Sequence, residues 1–172
     1  MSQVLTFAEL VSEVGPWSQS NFGDQDGLNE AAPLLGVVEE IMCELREASS
    51  IADRRDAFAD AVIFLADTFY RLGLPTDRLS WSDRREGRLT QAIGAAAHVV
   101  LKRRQGIRDI AIHDVAVELG DLFQILVNRY YQILGDHVAL EDLVFRTWER
   151  VKQRNWKKNP SDAHEVAAET AQ

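Results

Sequence analysis

Acidic residues recur at helical spacing in the first half of the chain. Glu40, Glu44 and Glu47 are separated by four and then three residues, so a helix would carry all three carboxylates on one face. Asp56 and Asp60 repeat this spacing on the following segment. Two facing helices with two carboxylates each form an all-oxygen site, which Mg²⁺ or Mn²⁺ prefers and which commonly holds phosphate substrates. The pattern predicts a metal site.

A third acidic edge, with Glu118 and Asp121, follows later in the chain. Each edge taken alone is better explained by a solvated acidic surface beside cations such as Arg54 and Arg55. Three acidic edges next to predicted core positions favour the metal site.

A basic segment between residues 146 and 158 interrupts an acidic chain. The sequence has 19 Lys and Arg against 27 Asp and Glu, a net charge of -8, which argues against binding to a nucleic-acid polymer. Lys152, Arg154, Lys157 and Lys158 are candidates to bind the phosphate oxygens that a metal does not reach. The alternative is a helix end, where cations interact favourably with the helix dipole.

Aromatic and amide side chains near these segments could recognise a nucleoside. An aromatic face stacks on any base, and an amide can hydrogen-bond to its edge. The candidates for base or sugar binding are Trp17, Asn21, Asp67, Asn128, Asn155 and Trp156.

The elements that must position these residues are predicted to be helices. Only 4 prolines and 10 glycines interrupt the chain, and apolar residues between them recur every three or four positions. The predicted helices span about 7–14, 28–48, 52–72, 82–104, 109–134 and 139–155, with 17–23 irregular and 161–172 a flexible tail. The buried stripe of the second helix is predicted to be Leu34, Leu35, Val38, Met42 and Leu45.

The helices at 52–72 and 109–134 resemble each other. Aligned, they pair Asp60 with Asp121, Leu65 with Leu126, and Asp67 with Asn128. Amphipathic helices match one another easily, so duplication and chance similarity both remain open. We expect one domain over residues 1–160, with halves at about 28–75 and 83–155.

Other classes of site find little support. Cys43 is the single cysteine, which excludes an intramolecular disulfide and an all-cysteine zinc site and is typical of a reducing compartment. The sequence has no apolar run of membrane-spanning length and no leader pattern, so we expect a cytoplasmic protein without a membrane partner. Catalytic serine–histidine motifs and phosphate-binding glycine loops are absent from the sequence.

The segment 34–48 resembles the first motif of the MazG-like all-α nucleoside triphosphate pyrophosphohydrolases, which are related to the dimeric deoxyuridine triphosphatases. That motif has two adjacent glutamates and a third glutamate three residues later. Here the spacing is one residue longer: if Glu44 is the last glutamate, Glu40 is the first and Ile41 replaces the second.

The segment 55–67 is similar to the second motif, a glutamate and an aspartate three residues apart. Asp60 matches the aspartate, whereas Ala57 stands at the glutamate position with Asp56 beside it. The intact form occurs as Glu118 and Asp121, and residues 147–160 resemble the terminal segment of phage and actinobacterial members.

The resemblance implies an all-α helical bundle, as a fused pair of MazG-like units. It also implies Mg²⁺-dependent hydrolysis of a nucleoside or deoxynucleoside triphosphate to the monophosphate and pyrophosphate, in a homo-oligomer. Glu40, Glu44 and Asp60 would then be the main metal ligands, with Asp56 and Glu47 second. Glu118 and Asp121 would complete the same site or mark a second one.

Two other functions remain open because Ile41 and Ala57 depart from the motifs. One is a nucleotide-binding or regulatory protein with weakened catalysis. The other is a structural helical module that binds no nucleotide.

Overall fold

The computed structural model describes residues 5–23, 31–106, 109–135, 137–156 and 158. All regular secondary structure within these ranges is helical, which confirms the all-α class. In chain order the elements are α1 (Phe7–Phe22), α2 (Ala31–Glu39), a π-helical turn (Glu40–Glu44), α3 (Leu45–Glu47), α4 (Ile51–Leu72), α5 (Leu89–Gln105), α6 (Ile112–Leu134) and α7 (Leu140–Val151).

Helix α4 is central and is specified by local sequence signals. The Ser50 hydroxyl accepts the backbone N–H of Asp53, and the Asp53 carboxylate accepts that of Ser50, which closes a capping box. Gly73 ends the helix in the left-handed conformation, at φ 61°. The predicted core face, which includes Phe58 and Leu65, is fully buried. Helices α1, α2, α6 and α7 all pack against α4, and α5 packs against α6.

Helix α1 corrects a prediction, because it does not end at Val14. The helix continues through Pro16 to Phe22, so residues 17–22 are helical and not irregular. Proline removes one backbone donor, but packing against α4 outweighs that loss. Gly15 allows this packing: a Cβ built on it would lie 1.9 Å from the Tyr70 ring.

The buried stripe of α2 also differs from the prediction. Leu34 is buried as expected, but Val37 and Ile41 are its buried companions. Leu35 is 62% exposed and Met42 is exposed, while Val38 and Leu45 are half-buried. Leu34, Val37 and Ile41 still follow α-helical spacing of three and four residues, so the face turned to the core differs from the predicted one before the π-helical turn begins at Glu40. Residues 24–30 lie outside the described part of the chain.

Helix boundaries shift where tertiary contacts hold the flanking segments. Ser82 does not cap α5, which begins at Leu89. Instead the Trp81 indole donates to the Leu5 carbonyl (2.7 Å) and packs against Phe7 and Phe123. These contacts hold the segment before α5 against the core, where it forms turns. Helix α6 begins at Ile112, and α7 ends at Val151 before a turn.

The duplication stays a prediction. Helices α4 and α6 are of similar length and contact each other, and nothing more in the structure bears on their origin. The predicted tail at 161–172 lies outside the described residues. None of the helices in the described ranges has the length and apolar character that crossing a membrane requires.

A pair of glycine substitutions tests the contact between α1 and α4. Gly15→Ala should lower the free energy of unfolding by roughly 1–3 kcal/mol, because the added methyl group displaces the Tyr70 ring. Gly94→Ala is the control: nothing lies within 4 Å of a Cβ at this position in α5, so it should stabilise by about 0.5–1 kcal/mol. Denaturant unfolding measures both values. Equal changes in the free energy of unfolding for the two variants would contradict the close approach of α1 to α4.

Candidate functional site

A cavity of about 220 Å³ lies between α1, the π-helical turn, α4 and the segment that ends α7. Its lining includes the carboxylates of Glu40 and Asp60, the guanidinium of Arg154, and the aromatic rings of Trp17, Phe22 and Trp156. The cavity therefore joins predicted metal ligands, a predicted phosphate-binding cation and three predicted base- or sugar-binding residues, Trp17, Asp67 and Trp156.

Glu40 and Asp60 are carboxylates in a poorly solvated, acidic environment. Burial, and then the negative charges of Asp60, Glu39, Glu44 and Asp56, raise the pKa of Glu40 from 4.5 to about 8. Burial and the charge of Asp56 raise the pKa of Asp60 from 3.8 to about 7, against the opposing effect of Arg150 and Arg154. A cation in the cavity would relieve this repulsion.

The π-helical turn positions Glu40. Its carbonyl accepts the backbone N–H of Leu45, five residues later. This turn coincides with the one-residue excess in spacing between Glu40 and Glu44. It lets Ile41 remain in the core, 6% exposed, while Glu40 faces the cavity. It also brings Glu39 beside Glu44: burial and then the charge of Glu44 raise the pKa of Glu39.

The other predicted ligands of this half lie around the cavity and do not line it. Glu44 is exposed, although its charge acts on Glu40. Asp56 is exposed and forms an ion pair with Arg150 at 3.1 Å. Glu47 forms an exposed ion pair with Arg46 at 3.2 Å.

Glu118 and Asp121 are not brought to this cavity. Asp121 forms an ion pair with Arg85 and lines a different cavity, beside Leu79 and His113. Glu118 is half-buried on α6. The carboxylates that chiefly raise the pKa values of Glu40 and Asp60 come from α2, the π-helical turn and α4.

The basic segment is divided between several roles. Arg154 lines the cavity, with its guanidinium carbon 5.6 Å from the centre of the Trp156 ring. Lys152 instead forms ion pairs with Glu149 and, at 3.6 Å, with Glu13. Lys158 is exposed, and Lys157 lies outside the described residues.

The predicted amides support the cavity or lie away from it. Asn21 accepts the backbone N–H of Trp156 (3.1 Å) and donates to the Trp17 carbonyl (3.0 Å), so it fixes the aromatic wall. The Asn155 side chain accepts the backbone N–H of Lys158. Asn128, on α6, does not line the cavity; its buried side-chain nitrogen has no partner among the described residues.

Asp67 lines the cavity within a buried network. Arg71 donates to one of its carboxylate oxygens (3.0 Å) and the Ser18 hydroxyl donates to the other (2.6 Å). Arg71 also donates to Ser18 (2.7 Å). Burial raises the pKa of Asp67, and the contacts with Ser18 and Arg71 oppose this effect.

Several cavity residues were not predicted from the sequence. Phe22 and Ser18 lie on the part of α1 expected to be irregular, and Phe64 lies one turn after Asp60 on α4. Spacing along α4 could have found Phe64, since residues four apart share a face. The pairing of Arg150 with Asp56 joins distant segments and has no local signal.

The donor set of the cavity fits Mg²⁺ shared with phosphate. Within the described ranges, no three Asp, Glu, His or Cys side chains converge on a point that could hold an ion. Mg²⁺ does not require such a cage, because it is commonly held by one or two carboxylates together with waters and substrate phosphates. Glu40 and Asp60 supply that number of carboxylates.

Comparisons of the chain with protein-family models, with curated proteins and with solved structures found no match. The resemblance to MazG-like enzymes therefore stays a prediction from the motifs.

The raised pKa of Glu40 makes stability depend on pH. The neutral carboxyl is favoured in the fold, so its contribution is complete below about pH 4.5 and is lost as the pH rises through about 8. Glu40→Gln mimics the neutral form. At pH 8.5 we expect it to raise the free energy of unfolding by about 1–2 kcal/mol, discounted for the solvation that the side chain retains. At pH 5 the difference should nearly vanish.

Denaturant unfolding at both pH values measures this effect. Glu118→Gln, on α6 outside the cavity, is the matched control and should change stability much less between the two pH values. Destabilisation by Glu40→Gln at pH 8.5 would show that Glu40 is not held in a repulsive environment.

Proposed function

We propose that the protein hydrolyses a nucleoside or deoxynucleoside triphosphate to the monophosphate and pyrophosphate, with Mg²⁺ as cofactor and Mn²⁺ as a substitute. The observation that carries this proposal is the common cavity of Glu40, Asp60, Arg154 and the aromatic wall. Such an activity serves to control the nucleotide pool. The homo-oligomer that the resemblance implies is part of the same proposal.

The acidic side of the cavity would bind the metal and the phosphates. Glu40 and Asp60 provide oxygen ligands, and their burial among other carboxylates favours a divalent cation. Mg²⁺ supplies positive charge to the phosphate oxygens and promotes ionisation of water. Arg154 provides a cation on the same cavity wall for oxygens that the metal does not reach.

The reaction needs no nucleophile from the protein. The oxygen of a water molecule forms a bond to phosphorus, and the P–O bond to the bridging oxygen between the α- and β-phosphates breaks. Pyrophosphate leaves with the bonding electrons, and the water proton passes to solvent or to a carboxylate.

The aromatic side of the cavity would bind the base. The Trp17 indole is fixed by donation to the Lys152 carbonyl (3.1 Å), and its ring packs edge-on against Phe22. Phe22 also packs against Trp156, with ring centres 6.3 Å apart. Fixed aromatic rings favour stacking because little side-chain entropy is lost on binding.

The second candidate is a nucleotide-binding or regulatory protein with weakened catalysis. Ile41 and Ala57 stand where the motifs have glutamates, and both are buried, with Ala57 3% exposed. Neither position faces the cavity, so the site has fewer carboxylates than the motifs imply.

Hydrolysis assays separate these candidates. With Mg²⁺ and each common nucleoside and deoxynucleoside triphosphate in turn, we expect monophosphate and pyrophosphate from one or a few bases. Asp60→Asn and Glu40→Gln should lower kcat by about 100-fold or more, because each removes a metal ligand. Arg154→Gln should chiefly raise KM.

Asp121→Asn is the matched control, because it removes a carboxylate of the other cavity. It should leave turnover within about twofold of the original rate. Unchanged turnover in both Asp60→Asn and Glu40→Gln would remove the site assignment, and no turnover of any triphosphate would favour the binding protein.

Thermal melting tests whether metal and nucleotide bind together. Because two carboxylates hold Mg²⁺ weakly without phosphate, Mg²⁺ alone should raise Tm only slightly, whereas Mg²⁺ with a triphosphate should raise it by several degrees. The combined shift should disappear in the double variant Glu40→Gln/Asp60→Asn. No shift with any nucleotide would favour a structural module.

A further inference from the structure

Asp67 is a hydrogen-bond acceptor, held by Ser18 and Arg71, in the lining of the same cavity as Asp60. The two residues lie seven positions apart on α4 and line the same cavity. Seven residues of helix correspond to about 10 Å along the axis, nearly two turns. This separation is comparable to the distance between the phosphate and the base edge of a nucleotide.

The partners of Asp67 leave it no role as a donor. The ion pair with Arg71 at 3.0 Å favours the ionised carboxylate, which only accepts hydrogen bonds. The Ser18 hydroxyl donates its proton to Asp67 and accepts from Arg71, so its proton is already engaged. Each carboxylate oxygen keeps further acceptor capacity. Ser18 and Asp67 together therefore offer acceptors to the cavity.

The surroundings of Asp67 make it costly to leave its carboxylate without a hydrogen-bond donor. Asp67 is 7% exposed, and Val14, Ile63 and Phe64 line the cavity with it. A ligand oxygen placed against this carboxylate would be repelled and would displace water without replacing its hydrogen bonds. A ligand N–H group in the same place would donate a hydrogen bond to the carboxylate.

We propose that Asp67 is a specificity-determining residue that accepts a hydrogen bond from the exocyclic amino group of the base, so that the cavity selects cytosine or adenine nucleotides over their oxo counterparts. Carboxylates are suited to the amino group of cytosine, whereas uracil has a carbonyl oxygen at the same position. Inosine likewise has a carbonyl oxygen at the position where adenosine has its exocyclic amino group. The inference rests on the proposed function for the placement of the phosphates.

Binding of monophosphates tests this proposal independently of hydrolysis. CMP, UMP, AMP and IMP have no β-phosphate, so they report recognition even if no triphosphate is cleaved. Calorimetric titration should give a Kd at least 10-fold lower for CMP than for UMP, or for AMP than for IMP. Equal affinity within each pair, or no binding by any of the four, would overturn the proposal.

Substitutions test whether a preference between the paired nucleotides depends on Asp67. Asp67→Asn offers a donor as well as an acceptor, so it should reduce the ratio between paired nucleotides to about twofold or less. Asp121→Asn is the control and should leave the ratio unchanged. If Asp67→Asn does not fold because Arg71 loses its charge partner, Ser18→Ala provides a milder change that should reduce the ratio in part. An unchanged ratio in a folded Asp67→Asn variant would contradict the assignment.

Two further comparisons distinguish the possible outcomes. CMP against dCMP tests a sugar hydroxyl as the donor, and a large loss with dCMP combined with equal CMP and UMP binding would overturn the assignment to the base. Triphosphate hydrolysis with equal kcat/KM for CTP and UTP and for ATP and ITP would overturn the inference while the proposed function stands. Selective CMP binding without hydrolysis would overturn the proposed function while the inference about Asp67 stands.

Discussion

The burial of two carboxylates, Glu40 and Asp60, in one acidic cavity wall is the constraint on which the site depends. Two carboxylates placed at one poorly solvated wall destabilise the fold unless protons or cations are nearby. Arg150 and Arg154 oppose the rise in the pKa of Asp60, yet that pKa remains near 7. The core must supply the stability that this wall costs, and the fully buried face of α4 is part of that core.

The π-helical turn explains how this repulsive arrangement coexists with a packed core. A regular helix that placed Ile41 in the core would orient the following glutamates differently, because each residue adds about 100° of rotation. The π-helical turn spans Glu40–Glu44, and Ile41 within it stays buried. π-helical turns are rare and are frequently found at functional sites. Its location at the acidic wall agrees with a site that uses Glu40.

Local signals made α4 predictable, and distant contacts made α1 unpredictable. Ser50, Asp53 and Gly73 mark the ends of α4 in the sequence itself. In α1, Pro16 indicates a helix end, but the fit of Gly15 against Tyr70 decides otherwise, and only the fold brings that ring there. The acidic candidates could be found by spacing along one helix. The aromatic wall could be found only in part, because Phe22 and Trp156 are far apart in the sequence and come into contact only in the fold.

The buried positions Ile41 and Ala57 decide what kind of metal site the cavity can form. A glutamate at either position would place a charge in the core, so an additional ligand there is incompatible with this packing. Apart from Asp67, which is paired with Arg71, the cavity is left with the carboxylates of Glu40 and Asp60, on two elements. That number is too small for a tight metal cage but sufficient for Mg²⁺ whose remaining positions are filled by phosphate and water. Metal binding would then depend on the nucleotide, and the nucleotide on the metal, because each relieves charge repulsion that the other would otherwise meet.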